Sequence, residues 1–495
     1  MKYFLETIAE SLYSEFGNSL HRHCLVFPSR RAGLYFTRYL SSCIDKPVWM
    51  PATITINDLF RSFSPLKVVE NEILLAELYK SFRSVSGSRE SFDDFYFWGD
   101  MLLNDFDDVD KYLVDAASVF RNVTDLHRID LEFGGLTEEQ IEIIRQFWVS
   151  FDREKMTGEK SGFINIWSVL GSLYSAFRKA LKDKGWAYEG MIFREVAEKT
   201  GGNQLLMEDW DMVHFIGFNA INNCERSLMQ WLKKQGKARF YWDYDNSFKG
   251  SGTFSAAGTF IEKNIKLLGD DMPAGWSHES GMASVKEGVV RRVIAVSSDV
   301  AQVKLVSQLV EEIRDLSPEN AHHTAVVLAD ENLLVPVLTS LPENCGDVNI
   351  TMGYPMKYTQ LYSLVKLLLT LQQNSRETSG EAYFRYNDVI NVVKHQMIKE
   401  LLRDDFEGIM DERVMLSAPV RVPASLLKKS KDSEILFRRA SGPSGLTDYL
   451  KTVLGWLPQN DMNEGEGRSD SVTDIQVRNE FIYRIMLAVN RIEQL

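Results

Sequence analysis

Cysteine is scarce in this chain, and its four cysteines share no C-x-x-C spacing; they are Cys24, Cys43, Cys224 and Cys345. The pattern predicts neither a metal site nor a disulfide framework, and it is typical of a reducing compartment. No apolar run approaches the ~18 residues that cross a membrane. The N-terminal MKYFLETIAESLYSEF carries acids within its apolar pattern, which predicts an amphipathic helix rather than a signal peptide. We therefore expect a cytoplasmic protein without a membrane partner.

A surplus of positive charge is also lacking. The chain has 56 Lys and Arg against 69 Asp and Glu, a formal net charge of −13. This balance argues against a surface coated for nucleic acid, but it leaves open a basic channel, to which large DNA-processing machines confine their positive charge. The length of 495 residues predicts about two to four domains, each with its own core.

The stretch His23–Leu40 has the layout of a phosphate-binding loop: an apolar strand, a tight turn and an amphipathic helix. That loop requires G-x-x-x-x-G-K-[ST]. Aligned on Gly33, the first glycine is replaced by Pro28, the lysine by Leu34 and the hydroxyl residue by Tyr35. Because the lysine neutralises phosphate and the hydroxyl binds Mg²⁺, the stretch predicts the frame of a nucleotide site without its chemistry. The alternative is a plain strand–helix turn with a chance glycine.

Two further pairs of residues bear on this degenerate nucleotide site. Arg30 and Arg31 lie at the start of the predicted helix, where free N–H groups converge on an anion, although such arginines are more often solvated. A magnesium-binding strand would end in Asp-Glu, and here Gly217 and Phe218 occupy those positions. Both halves of one site would then be lost together; a buried strand followed by a turn explains the same residues.

Aromatic and acidic residues end the next predicted strand, at Trp242, Asp243 and Tyr244. Asp243 and Asp245 are two acids without a third ligand nearby, so the stretch does not favour a metal site. Exposed aromatics at a strand end suit stacking on an unpaired base, and core packing is the commoner alternative. The acids between Asp100 and Asp110 share a helix with an apolar stripe that continues to Phe120, and we predict that they form a solvated helix face.

The order of elements predicts an α/β chain of two parallel-sheet cores with large helical insertions. The predicted parts are a first core at 1–67 plus 206–250, a helical insertion at 68–205, a linker at 251–288, a partial second core at 289–372 and a helical insertion at 373–495. The second core is predicted from strands at 289–296, 324–328 and 348–351. The last helix runs to Leu495 without a stop signal, so we expect a truncated chain.

This order resembles superfamily 1 helicases and, more closely, the AddB/RecC-like subunit of helicase–nuclease complexes, a PD-(D/E)XK nuclease family protein. The stretches that carry the resemblance are LVFPSRRAGLYFTRYL (25–40), SFDDFYFWGDMLLNDFDDVDKYLVDA (91–116), VHFIGFNAINNCE (213–225), ARFYWDYD (238–245), SSDVAQVKLVSQLVEEI (297–313) and TAVVLADENLLVPVLTSLP to VNITMGYP (324–355). The resemblance implies two RecA-like, P-loop NTPase-like domains.

The resemblance also implies an inactivated helicase half whose partner subunit, AddA/RecB-like, supplies the ATP motor. Thr53 and Thr55 match the position of a single-strand-contacting threonine motif. The family's late helicase motifs are not found. The family's nuclease core, with its Mg²⁺ and iron–sulfur cluster, would lie beyond this chain, so a full-length member would be an exodeoxyribonuclease subunit, whereas this chain is expected to have no catalytic residue, metal or cofactor.

The main hypothesis is a non-catalytic DNA-binding module of a subunit for double-strand-break repair and recombination, which binds single-stranded or double-stranded DNA and a motor subunit. The residues expected to contact DNA are Arg30, Arg31, Thr53, Thr55, Trp242 and Tyr244. A second hypothesis is a divergent ATP-dependent DNA translocase. A third, favoured by the acidic charge, is a protein-interaction scaffold without nucleic-acid binding.

Overall fold

A computed structural model gives the architecture of most of the chain. It describes residues 3–116, 118–120, 159–202, 205, 209–244, 255–274, 276, 292–313, 324–342, 345, 348–353, 355–402, 405, 407, 409, 420–461 and 472–493. The chain divides into two compact units, Met1–Val289 and Val290–Leu495.

Helices make up most of the described residues. In the first unit they are α1 (Phe4–Phe16), α2 (Arg30–Cys43), α3 (Ile56–Ser62), α4 (Asn71–Ser86), α5 (Phe92–Lys111), α6 (Glu159–Asp183), α7 (Glu189–Gly201), α8 (Asn223–Lys234) and α9 (Ser255–Leu268). In the second unit they are α10 (Asp299–Glu311), α11 (Leu334–Ser340), α12 (Gln360–Gln373), α13 (Tyr386–Val393), α14 (Gln396–Leu401), α15 (Ala424–Leu427), α16 (Lys431–Leu436), α17 (Gly442–Asp461) and α18 (Val472–Glu493).

The first unit contains a four-stranded parallel sheet, which gives the chain its α/β character. Its strands are β1 (His23–Phe27), β2 (Ala52–Thr55), β5 (Met212–Ile216) and β6 (Ala238–Tyr241), in the spatial order β2-β1-β5-β6. A separate parallel pair joins β3 (Lys67–Val68) to β4 (Trp186–Ala187). The parallel sheet is thus built from both sides of the helical insertion, as the sequence predicts.

Helices cover both faces of the parallel sheet, and side chains alternate between the two faces along each strand. On β1, Cys24 and Val26 belong to a first hydrophobic core, which also contains α8 and the insertion helices. Leu25 and Phe27 belong to a second hydrophobic core, on the other face of the sheet, with α1 and α2. The same alternation on β6 sends Phe240 to the first core and Tyr241 to the second. A continuous apolar run such as the one in β1 therefore reports a strand covered on both faces.

In the sheet, β2 lies on one side of β1, and β5 and β6 lie on the other side. Right-handed crossovers then place α2 and α8 on opposite faces of the sheet, in agreement with the separate cores in which they pack. The carboxyl ends of β1 and β5 consequently form the topological switch point, the place where open α/β sheets bind ligands. The two stretches predicted to form a degenerate nucleotide site, 28–35 and 217–218, follow these two strands.

Three details of the first unit correct the predictions. The predicted linker 251–288 contains α9, whose Ile261 and Leu268 are buried in the first core because its apolar face packs against α8. The sequence predicts a cap at Asn57 or Asp58 for the helix that follows β2, but the cap of α3 is Thr55, since the helix begins at Ile56. The apolar stripe predicted to reach Phe120 is interrupted, because α5 ends at Lys111 and the backbone turns at Leu113, whose φ is 55°.

The part of the predicted apolar stripe that lies on α5 is buried or half-buried. Phe95, Leu102 and Phe106 of α5 are buried in the first core. The predicted insertion between residues 121 and 158 lies outside the described residues, as do the linker residues 251–254 and 277–288.

The second unit differs from the predicted parallel core. The helices that the sequence predicts at 299–314, 332–341 and 360–371 are present as α10, α11 and α12, but residues 292–296, 324–328 and 348–351 form no strand. A strand is stable only when a neighbouring strand satisfies its backbone hydrogen bonds. The apolar side chains of these segments are also not packed in a core, since Val293 and Val327 are exposed to solvent. The predicted helical insertion 373–495 also holds an antiparallel sheet. Its strands, in spatial order, are β7 (Arg376–Thr378), β8 (Glu381–Arg385) and β9 (Arg421–Pro423).

In the part of the chain that is described, no helix is both long and apolar enough to cross a membrane.

Candidate functional site

The side chain of Ser29, in the turn between β1 and α2, caps the helix. Ser29 lies in an extended conformation directly before α2, and the backbone N–H of Ala32 donates to its Oγ at 3.3 Å. This is the ordinary N-cap of a helix, in which serine satisfies one of the free N–H groups. The predicted phosphate frame is therefore a tight serine-capped turn, and part of its anion-binding capacity is used internally.

Gly33 is required by packing. A Cβ at this position would lie 2.8 Å from Cγ2 of Thr53 on β2 and 3.5 Å from Cδ2 of Phe27 on β1. The glycine lets the first turn of α2 approach the sheet, which is a role that glycines also have where a helix packs closely against a strand. Its presence is thus explained without a nucleotide.

The two residues after Gly33 are exposed, and neither can bind a phosphate group. Leu34 is 71% exposed and Tyr35 is 43% exposed. Neither side chain can supply the positive charge or the Mg²⁺-binding hydroxyl of a phosphate loop. Pro28, at the position of the first glycine, is exposed and lacks a backbone donor.

The end of β5 is equally unsuited to magnesium. Gly217 has a φ of 75°, the left-handed region that favours glycine, and its N–H donates to the carbonyl of Tyr241 at 3.0 Å. Phe218 is buried in the first core, with its ring edge against Phe215. A positive φ and a buried ring explain why these two positions hold glycine and phenylalanine, and no carboxylate lies there to bind a metal.

Two arginines, Arg30 and Arg31, place positive charge at the start of α2, directly after the turn from β1. The Arg30 side chain is 82% exposed, and its Nη2 lies 4.0 Å from Oδ1 of Asp58. Arg31 is exposed and forms no ion pair with the residues that the structure describes. The two arginines thus lie beside the switch point of the sheet and are accessible to an anion from solvent, which would compete with Asp58 for Arg30.

Asp58 is the acid nearest these arginines, and it belongs to the cap of α3. Its Oδ2 accepts from the hydroxyl of Thr55 at 2.7 Å, and its N–H donates to that same hydroxyl at 3.2 Å. Burial favours a raised pKa for Asp58, but the Thr55 hydrogen bonds, followed by the charges of Arg30 and Arg61, hold it below its usual value. Asp58 therefore stays ionised and partly neutralises the positive charge of Arg30.

The threonines predicted to contact DNA are half-buried and already have partners. Thr55 caps α3, and the Thr53 hydroxyl donates to the carbonyl of Pro51 at 3.4 Å. Both lie on β2, adjacent to β1, so they are close to the turn that holds Arg30. Their contact with DNA stays a prediction.

Trp242 is wrong as a base-stacking residue. It is 1% exposed, its ring stacks on Phe240, and its Nε1 donates to the carbonyl of Gly269 at 2.7 Å. Tyr244 is half-buried, and its hydroxyl donates to Asp270 at 3.2 Å, so its DNA contact stays a prediction. The physical reason is the segment predicted as linker: Gly269 and Asp270, directly after α9, accept the hydrogen bonds of Trp242 and Tyr244.

A buried histidine pair at the opposite end of the sheet was not predicted. Nδ1 of His23 on β1 lies 2.9 Å from Nε2 of His214 on β5, and Nδ1 of His214 lies 3.2 Å from the Tyr241 hydroxyl. Burial lowers the pKa of His214 to about 3, with further lowering by His23 and Arg239. The two residues are 191 positions apart, and only the pairing of β1 with β5 brings them together, so no local signal could reveal them.

A second unpredicted cluster surrounds Asp110 of α5. Its carboxylate accepts from the hydroxyls of Tyr174 and Tyr188, while Nε of Arg194 lies 2.8 Å and Nη1 of Arg178 lies 3.5 Å from Oδ1. Asp110 is fully buried, which corrects the prediction that all the α5 acids are solvated. The available signal was its position: Asp110 falls seven residues after Leu103, on the buried side of the helix.

The Asp110 cluster borders a surface pocket of about 330 Å³. Its charged lining consists of Arg178, Lys179, Lys182, Asp183, Glu195 and Glu198. Three cations therefore balance three acids, and the pocket favours no particular ligand charge.

Within the described residues, no group of three or more His, Cys, Asp and Glu could hold a metal ion. No protein-family model matches this chain, and no curated protein matches it at a significant level.

Proposed function

We propose that this chain is a non-catalytic, helicase-like DNA-binding module, with a first RecA-like core that has lost its nucleotide chemistry. It would belong to an AddB/RecC-like subunit of a helicase–nuclease for double-strand-break repair and recombination. In this proposal it binds single-stranded DNA and docks on an AddA/RecB-like motor subunit. The resemblance of the quoted sequence stretches supplies the family, and the fold supplies a parallel sheet of compatible order.

One observation carries the proposal: Arg30 and Arg31 are exposed at the carboxyl edge of a parallel sheet, beside its switch point, where the phosphate-loop residues are replaced by Leu34 and Tyr35. The position favours an anionic ligand. The replacements remove the groups that ATP turnover requires. A DNA backbone offers the anion without any need for Mg-ATP chemistry.

The test is equilibrium binding of a fluorescent oligothymidylate, followed by anisotropy at several salt concentrations. Contacts to phosphate make log K fall with log salt at a slope of about −0.7 per contact for single strands. Replacing both arginines, Arg30→Ala and Arg31→Ala, is expected to weaken binding and to make the slope shallower by up to about 1.4. Weak binding with an unchanged slope would place the DNA elsewhere.

The scaffold hypothesis is the second candidate, and the net charge of −13 favours it. It predicts no oligonucleotide binding even at low salt, so the same titration separates the two. The divergent translocase rests on the fold alone, and Mg-ATP hydrolysis by the purified chain would favour it.

A further inference from the structure

The outer face of α5 exposes large apolar side chains within a well-packed helix. Phe97 is 78% exposed and Met101 is 56% exposed. They are four residues apart, so they lie one above the other on the same face. Phe92 and Tyr96, in the same helix, are 37% and 50% exposed. Single exposed apolar residues need no explanation, but a group on one helix is typical of an interaction site.

The exposure of Phe97 does not come from a frayed helix. The opposite face of α5 is fixed, since Phe95, Leu102 and Phe106 are buried and the helix packs against α4 and α7. Ser91 caps the helix by accepting from the N–H of Asp94. Turning Phe97 inward would therefore expose part of a formed core.

Acids surround this apolar pair. Asp93 precedes Phe97 by four residues, and Asp105 and Asp108 follow Met101 by four and seven, which places all three on the exposed face. Their side chains form no ion pair with the described part of the chain. Burial raises the pKa of Asp105, and the neighbouring charge of Asp108 raises it further. The face thus combines apolar anchors with negative charge that its surroundings leave uncompensated.

We propose that the exposed face of α5 is a docking surface for a positively charged amphipathic helix of a partner protein. Phe97 and Met101 would fill the apolar seam of that helix, and its lysines or arginines would meet Asp93, Asp105 and Asp108. This arrangement follows the helix-recognition mode in which apolar anchors give affinity and flanking charges give orientation and rate.

The negative charge of the α5 face favours a basic partner helix over a second copy of this chain, DNA or an anionic membrane. Two copies of the same acidic face would bring like charges together, which disfavours a symmetric dimer through α5. DNA and anionic membranes carry the same sign of charge as the face and are repelled. The inference rests on α5 alone and is independent of DNA binding at Arg30.

The test uses a defined probe: a fluorescent amphipathic helical peptide of leucine and lysine, titrated with the intact chain. Phe97→Ser is expected to weaken binding about tenfold, as the loss of a central anchor does. The matched control is Trp49→Ser, because Trp49 is a similarly exposed aromatic, at 82%, outside α5; it is expected to change binding less than about twofold.

A second variant tests the charges. Asp105→Asn with Asp108→Asn is expected to slow association and to reduce its salt dependence. Equal losses in Phe97→Ser and Trp49→Ser, or no binding of the peptide at low salt, would overturn the proposal. Phe97→Ser is expected to bind oligothymidylate like the unmodified chain, so that failure of this surface is distinguishable from failure of the DNA site.

Discussion

Gly33 and Thr53 lie so close that a methyl group on the glycine would stand 2.8 Å from Cγ2 of the threonine. The contact joins the first turn of α2 to β2 and sets the position of the turn that carries Arg30. The glycine that suggested a phosphate loop is therefore explained by helix–sheet packing.

Gly33→Ala is expected to lower the free energy of unfolding by about 1–3 kcal/mol, because an added methyl overpacks a buried contact. Urea unfolding measures the change. The control is Gly455→Ala in α17, where a Cβ meets nothing within 4 Å. This second substitution is expected to stabilise by up to about 1 kcal/mol through helix propensity. Thr53→Ser in the Gly33→Ala background removes the clashing methyl and should recover stability; no recovery would assign the loss to another contact.

The His23–His214 pair predicts loss of stability in mild acid. The pKa of His214 in the folded protein is about 3, below its unfolded value near 6.5. The unfolded state therefore binds the proton first, and the stability contributed by the neutral ring falls as pH drops below 6.5. Between pH 7 and 5 the loss is about 2 kcal/mol from His214.

Unfolding of the first unit at several pH values measures this effect. His214→Gln should flatten the acid limb, since glutamine does not titrate in that range. The control is His21→Gln, an exposed histidine outside the pair. An acid limb of equal slope in His214→Gln and in the unmodified chain would contradict the assignment.

Asp110→Ala is expected to destabilise the first unit by about 3 kcal/mol, because it removes a fully buried carboxylate and leaves the half-buried guanidinium groups of Arg178 and Arg194 without it. Asp108→Ala, on the exposed side of the same helix, should change stability by less than about 0.5 kcal/mol. Thermal unfolding compares the two variants. Similar effects would mean that the cluster around Asp110 does not hold the insertion together.

The sequence was informative where local patterns determine structure. The apolar run of β1, the break at Pro28 and the amphipathic helix after it predict the sheet and its turn. Trp242 was misassigned because its ring is held by Gly269, directly after α9, in a polar, Gly-bearing segment that resembles a linker. The predicted strand at 324–328 failed for a related reason: an apolar run indicates a strand only when a partner pairs with it, and pairing is a non-local property.

The site shows the same division between local and non-local information. Exposure of Arg30, Leu34 and Tyr35 follows from helical spacing after Ser29, and the loss of phosphate chemistry can be read residue by residue. The partners of Asp110 could not be predicted in this way, because they come from α6, from α7 and from Tyr188 directly before α7, more than 60 positions away.

Calorimetry with Mg-ATP is expected to show no binding heat, because Leu34 and Tyr35 cannot hold phosphate and Mg²⁺. The double replacement Arg30→Ala and Arg31→Ala should leave that result unchanged. ATP hydrolysis abolished by the same replacements would overturn the assignment of a degenerate site.

The measurement that tests the central claim most directly is the salt dependence of oligothymidylate binding by three proteins. These are the unmodified chain, the Arg30→Ala/Arg31→Ala variant and a charge-matched Arg83→Ala/Arg89→Ala variant, whose two arginines are exposed in the helical insertion. If Arg30 and Arg31 contact DNA, binding weakens with salt, the slope is shallower for the first variant and the slope is unchanged for the second. Equal slopes for all three proteins, or no binding at low salt, would contradict the claim.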